Sequence, residues 1–195
     1  MKKLYVIYIL ILFSLATAGQ EELPEGSQAP DFSGTDQYGN LIVLDSLLKK
    51  NRVVVVFYRG QWCPHCNRHM SYLQDSLSYI TRLNTAIVAI TPEKTSEINK
   101  TIEKTEASFS IIYDEAHQIM DDYKVTFRLS ASKHIIYSAA GINVNKASGN
   151  EDRALPVPAV YIINQEGMII GGHFDTDYSV RMPIKNIIEI LENHK

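Results

Sequence analysis

Apolar residues change their spacing several times along this chain, and each change predicts an element. Val53-Val54-Val55-Val56-Phe57 is an unbroken, mostly β-branched run, the pattern of a strand covered on both faces. Gly60 to Pro64 ends it. Met70, Leu73, Leu77, Ile80 and Leu83 then recur every three or four residues, which predicts a helix from about Pro64 to Leu83. Ala86 to Ile90 is a second buried strand, and Thr91-Pro92 is expected to open a helix with Thr as N-cap and Pro in its first turn. Ile98 and Ile102 give that helix one apolar edge. Ile111-Ile112-Tyr113 is a third short strand. Glu115 to Tyr123 and Ala131 to Ala140 are helix candidates. Val157 to Ile163, a turn at Gln165-Glu166-Gly167 and Met168 to Ile170 make a hairpin, and Pro183 to Glu192 makes a closing helix.

Before the first long strand, Asp31-Phe32-Ser33 and Leu41 to Leu44 flank a Gly39-Asn40 turn signal, so an N-terminal β-hairpin is expected. Ser46 to Lys50 reads as one helical turn. Alternating strands and helices followed by an antiparallel hairpin imply an α/β fold, with a mixed central sheet and helices on both faces. No internal repeat or linker divides residues 24–195.

The first residues carry a different signal. Met1-Lys2-Lys3 is positive, Leu4 to Leu15 is apolar, and Ala16-Thr17-Ala18 supplies small residues. This is the form of a secretory signal peptide over 1–18, leaving 19–195 as one domain. The apolar run is short for a membrane span, which needs about 20 residues, and no later segment is long enough. An uncleaved N-terminal anchor is the alternative. Export, to a periplasm or the exterior, puts the cysteines where disulfides can persist. Composition agrees with a folded domain: of 195 residues, 45% are hydrophobic and the formal net charge is -3, which excludes disorder as the main state. Nineteen basic against 22 acidic residues give no electrostatic footprint for nucleic acid.

Both cysteines of the chain fall in Trp62-Cys63-Pro64-His65-Cys66, after a buried strand and at the start of a long helix. Unpaired N–H groups and the helix dipole favour a thiolate there, with Cys63 nearest the helix end. Pro64 is tolerated in a first turn, and His65 can carry charge or donate a hydrogen bond to a thiolate. Two intervening residues bring the sulfurs close enough for a reversible disulfide. Two other readings stay open. One is half a zinc site with His65 and His69, although a structural zinc wants four ligands. The other is a permanent structural disulfide in a non-enzymatic exported domain, closing a loop too small to add much stability. Trp62 is expected to shield the site or to serve as a core aromatic. His173 and Asp175 are expected on a surface loop, and Arg181-Met182-Pro183 as packing and turn residues. No nucleophile elbow, P-loop or HExxH motif is present.

On these residues the chain resembles the peroxiredoxin-like (AhpC/TSA, redoxin) branch of the thioredoxin superfamily. Gly26-Ser27-Gln28-Ala29-Pro30-Asp31-Phe32 with Asp36 and Gly39 resembles its N-terminal hairpin. Tyr58-Arg59-Gly60-Gln61-Trp62-Cys63-Pro64-His65-Cys66 is similar to the YRGxWCPxC segment of one subgroup. Leu155-Pro156-Val157-Pro158-Ala159 resembles the loop that carries a cis-proline facing the site, with Pro158 at the matching position. The resemblance implies a thioredoxin-like three-layer sandwich and a thiol peroxidase needing no cofactor. Cys66 would be oxidised by peroxide, Cys63 would close the disulfide, and a thioredoxin-type donor would reduce it. The alternative it leaves open is a thiol–disulfide oxidoreductase acting on exported protein disulfides through Cys63, the partner expected to be more exposed. His65 would tune the pair in either case. The chain departs from the peroxiredoxin pattern in having Cys63 for a Thr or Ser, Arg59 for a Pro, and Val157 where an arginine is usual. Arg59, Arg128 or Arg153 is a candidate to take its place in space.

Overall fold

The computed structural model describes residues 20–194; the expected signal peptide lies outside them. The N-terminal hairpin pairs β1 (Ser33–Thr35) with β2 (Leu41–Val43) antiparallel, with Gly34 opposite Ile42. Asp36 fixes its turn by accepting from the Tyr38 and Asn40 amides at 3.0 and 2.9 Å. A short helix, α1 (Leu44–Leu48), leads to β3 (Arg52–Phe57). After β3 come α2 (Pro64–Arg82), β4 (Thr85–Thr91), α3 (Thr95–Thr105) and β5 (Ser110–Tyr113). Strands β3, β4 and β5 are parallel neighbours, as two strand–helix–strand crossovers require. The chain closes with β8 (Ala159–Ile163), β9 (Ile169–Phe174) and α7 (Ile184–Asn193). β8 lies antiparallel to β3, and β9 antiparallel to β8. The five-stranded order is therefore β5-β4-β3-β8-β9, with β3 in the middle.

The period of two in β3 sorts its valines between two cores. Val54 and Val56 pack with Met70 and Leu73 of α2, Ile98 of α3 and Ile187 and Leu191 of α7. Val53, Val55 and Phe57 face Leu44 and Leu48 of α1, Met120, and the tilted Phe57–Tyr123 aromatic pair. All four valines are buried, each stabilising by roughly 1.5–3 kcal/mol. This is the expected layering: helices, mixed sheet, helices with the hairpin.

Several boundaries differ from expectation. Thr91 does not open a helix; it completes β4, pairing with Tyr113, and α3 begins only at Thr95 with Lys94 at its N-cap. Helix α4 (Gln118–Asp122) is shorter than Glu115 to Tyr123 because His117 turns the chain in a left-handed conformation, φ 59°. The late hairpin is shifted: Val157 and Pro158 precede β8, while β9 runs on to Phe174. His173 therefore lies in a strand opposite Val160, not on a surface loop. Between α4 and β8 the chain makes an insertion that the apolar pattern did not reveal. Strands β6 (Thr126–Arg128) and β7 (Ala154–Pro156) pair at its base, and α5 (Ala131–Ala139) and α6 (Val144–Ser148) form its outer part.

Candidate active site

The site grows from the end of β3. Phe57 and Tyr58 hold the chain in the sheet, and the Tyr58 amide donates to Ile90 O at 3.1 Å. Gly60 then adopts φ 150°, a conformation open to glycine. A Cβ there would collide with the Glu93 carboxyl and come within 2.7 Å of Trp62 Nε1. The backbone thus turns tightly over Glu93, whose Oε2 accepts from the Gln61 amide at 2.7 Å. Cys63 is the N-cap of α2, and its sulfur accepts from the Cys66 amide at 3.3 Å. Pro64 occupies the first turn and is exposed, where no intrahelical donor is lost. Cys66 sits on the inner face of the same turn. The two thiols are free and in hydrogen-bond contact, and both are buried, at 2% and 1% exposure. Cys63 is therefore hardly more accessible than Cys66, contrary to expectation.

The charge that activates the pair comes from an unexpected place. Arg181, in the loop between β9 and α7, reaches Cys66 Sγ at 3.2 Å and Cys63 Sγ at 3.9 Å through Nη2. Its Nη1 donates to the Tyr178 and Val180 carbonyls, each at 2.6 Å, which fixes its aim. His69, one turn beyond Cys66, steadies the same loop: its Nε2 lies 3.1 Å from Met182 O. A carbonyl only accepts, so that nitrogen carries the proton. Burial, assisted by Arg181, pushes the His69 pKa down to about 4, so the ring is neutral near pH 7.

Burial by itself opposes ionisation of Cys66. The Cys63 thiol donating to it, the nearby Arg181 guanidinium and the Arg59 amide outweigh that cost and bring its pKa down to about 6. Cys63 moves the other way: its hydrogen bond to Cys66, then burial, push its thiol up. Arg181 stands nearer to Cys66 than to Cys63, at 3.2 against 3.9 Å, and so adds to the Cys63 hydrogen bond in favouring a thiolate on Cys66. Behind the pair, burial raises Glu93 to about 8, with Glu97 and Cys66 adding repulsion. Glu93 is therefore mostly protonated at pH 7.

The remaining predicted residues are placed as follows. His65 is half-buried and stacks edge-on against Tyr178, ring centroids 5.9 Å apart. Trp62 is half-buried against Tyr137 of α5 at 5.7 Å and packs on two apolar clusters, so it both covers the site and belongs to the core. The Arg59 side chain does not stand in for the missing arginine; it is buried among Trp62, Phe127, Tyr137 and Tyr178. Arg128 approaches Asp152 at 3.8 Å, and Arg153 turns the chain at φ 59°. Pro158 is buried, but every peptide bond among the described residues is trans, so the expected cis bond is not found. Among those residues no group of three or more His, Cys, Asp or Glu side chains is placed to hold a metal.

Comparison with known proteins gives one family and two kinds of relative. The AhpC/TSA family matches residues 26–171. The chain is 23% identical over 160 residues to the thiol-disulfide oxidoreductase ResA of Bacillus subtilis, covering 82% of this chain and 72% of that protein. It is 28% identical over 103 residues to peroxiredoxin Bcp of Escherichia coli, covering 53% of this chain and 65% of that protein, just under two thirds of its length. Among solved structures, peroxidoxin BcpB from Mycobacterium tuberculosis superposes with a TM-score of 0.67 at 16% identity, over 88% of this chain and 97% of that one. That likeness establishes the thioredoxin-like fold.

Proposed function

The chain belongs to the AhpC/TSA family, and from that premise we propose that this thiol oxidoreductase reduces peroxides through a reversible Cys63–Cys66 disulfide. The observation that carries the reading is the Cys66 sulfur 3.2 Å beneath the Arg181 guanidinium, with a pKa brought down to about 6. A thiolate at neutral pH is the nucleophile that peroxide chemistry needs. Cys66 S⁻ attacks one peroxide oxygen and the O–O bond breaks. The sulfur gives up two electrons and becomes a sulfenic acid, and the other oxygen leaves as alcohol or water after taking a proton. Arg181, already directed at the sulfur, can donate to the peroxide and to the leaving oxygen. The Cys63 thiol then attacks the sulfenic sulfur, forming the disulfide and releasing water. A thioredoxin-type dithiol returns two electrons by exchange at the pair.

A second reading is thiol–disulfide exchange on proteins, begun by Cys63. It is favoured by the length of the match to ResA. Both readings carry the proposal that the protein is exported, resting on the leader-like residues 1–18. Steady-state assays of Cys66→Ser and Cys63→Ser separate them. Peroxide consumption is expected to vanish in Cys66→Ser; rapid consumption by that variant would reject the peroxidase. Stable mixed disulfides with exported proteins in Cys66→Ser, trapped through Cys63, would favour exchange instead.

A further inference from the structure

The chemistry above uses Arg59 only through its backbone amide. Its side chain is a permanent cation with 2% exposure, and it has no ion-pair partner among the described residues. Nη2 donates to the Tyr137 hydroxyl at 2.7 Å, while Nε is buried with no partner. Four aromatic rings lie 4.9 to 5.8 Å from Cζ, those of Tyr178, Trp62, Tyr137 and Phe127. Ring faces offset part of the desolvation of a guanidinium, but they supply no counter-charge. Arg59 also lines a cavity of about 250 Å³ together with Leu129, Lys133, Ile136, Tyr137 and Tyr178. That lining holds two cations, two aliphatic side chains, two phenol rings and no acid.

We propose that this cavity binds a carboxylate carried on a short apolar body, with Arg59 and Lys133 as its cationic contacts and Leu129, Ile136 and the two tyrosine rings around the body. Size and charge both fit. Guanidinium is the group best shaped to receive a carboxylate, and the volume accommodates a few carbons rather than a long chain. The site touches the redox pair through Tyr178, whose ring stacks on His65 between the two cysteines. Two sources share this chemistry: a free short-chain acid, and an acidic side chain near the reacting group of a polypeptide.

Trp62 is the chain's one tryptophan and its ring lies 5.2 Å from Arg59 Cζ, so its fluorescence reports on the cavity. The reduced full-length protein is titrated with butyrate, and separately with butyramide, at fixed ionic strength. The expected result is a saturable change with butyrate and none with butyramide. Lys133→Gln, an exposed and structurally mild change, should weaken butyrate binding at least threefold, and Arg59→Gln should abolish it. Equal responses to the acid and the amide, or unchanged butyrate affinity in Lys133→Gln, overturn the proposal. Competition by short peptides then fixes the source. Displacement of butyrate by a Glu-containing peptide but not its Gln analogue assigns a polypeptide carboxylate. Displacement by neither, with butyrate binding intact, assigns a free acid. Binding is read without turnover, so the outcome is separate from that of the peroxidase assays.

Discussion

Arg181 donates to Cys66 from 115 positions further along the chain, and removing it is the sharpest change at the level of single residues. In Arg181→Gln the Cys66 pKa is expected to rise from about 6 by at least ~1 unit, since an adjacent opposite charge is worth about that much or more. Titration of thiolate absorbance checks this. The pH profile of peroxide reduction should follow: in the parent the rate rises with pH through about 6 and then levels, and in the variant the rise moves to higher pH. The thiol pair itself was legible in the sequence because CxxC, the preceding strand and the helix start are all local. Arg181 was not, because nothing in Arg181-Met182-Pro183 distinguishes an arginine aimed at sulfur from one in a turn. In the sequence His69 reads only as a possible metal ligand. Its partner, the Met182 carbonyl, is a backbone atom that no residue pattern reveals.

At the scale of elements, the junction of β4 with α3 places a buried acid behind the redox turn. Glu93 titrates at about 8 in the folded protein and near its ordinary 4.5 when unfolded. A folded pKa above the unfolded one gives stability that is complete below about 4.5 and is lost as pH rises toward 8. Glu93→Gln keeps an acceptor for the Gln61 amide and removes that loss. The variant is expected to be about as stable as the parent near pH 4 and more stable at pH 8, by an amount on the order of a few kcal/mol. Thermal unfolding across that range tests the sign. Gly60→Ala should do the reverse at every pH, destabilising by roughly 1–3 kcal/mol through backbone strain and collision with Glu93; a variant as stable as the parent in chemical denaturation would refute the tight turn. The strands and long helices of the central sheet were readable because their apolar periods are long. The start of α3 departs from the sequence pattern because Thr91-Pro92 has the form of a helix cap, yet sheet pairing with Tyr113 claims Thr91 first. The three-residue strands β6 and β7 are too short to show a period.

For the molecule as a whole, two helical layers over a five-stranded sheet hold the redox turn at the end of the central strand, and the 129–153 insertion leans on it from one side. Helix α5 has no buried residue, and Ile135 and Ile136 are 68% and 66% exposed. Its amides are expected to exchange hydrogen for deuterium well before those of α2, whose inner face is core. Equal protection of the two helices would mean that α5 is held by more than Tyr137. On the central claim, the most direct measurement is mass spectrometry of Cys63→Ser protein mixed rapidly with one equivalent of peroxide and a sulfenic-acid trap. The account predicts one adduct per chain, located on Cys66 and formed fastest above pH 6. Recovery of Cys66 as an unmodified thiol, with the peroxide unconsumed, would contradict it.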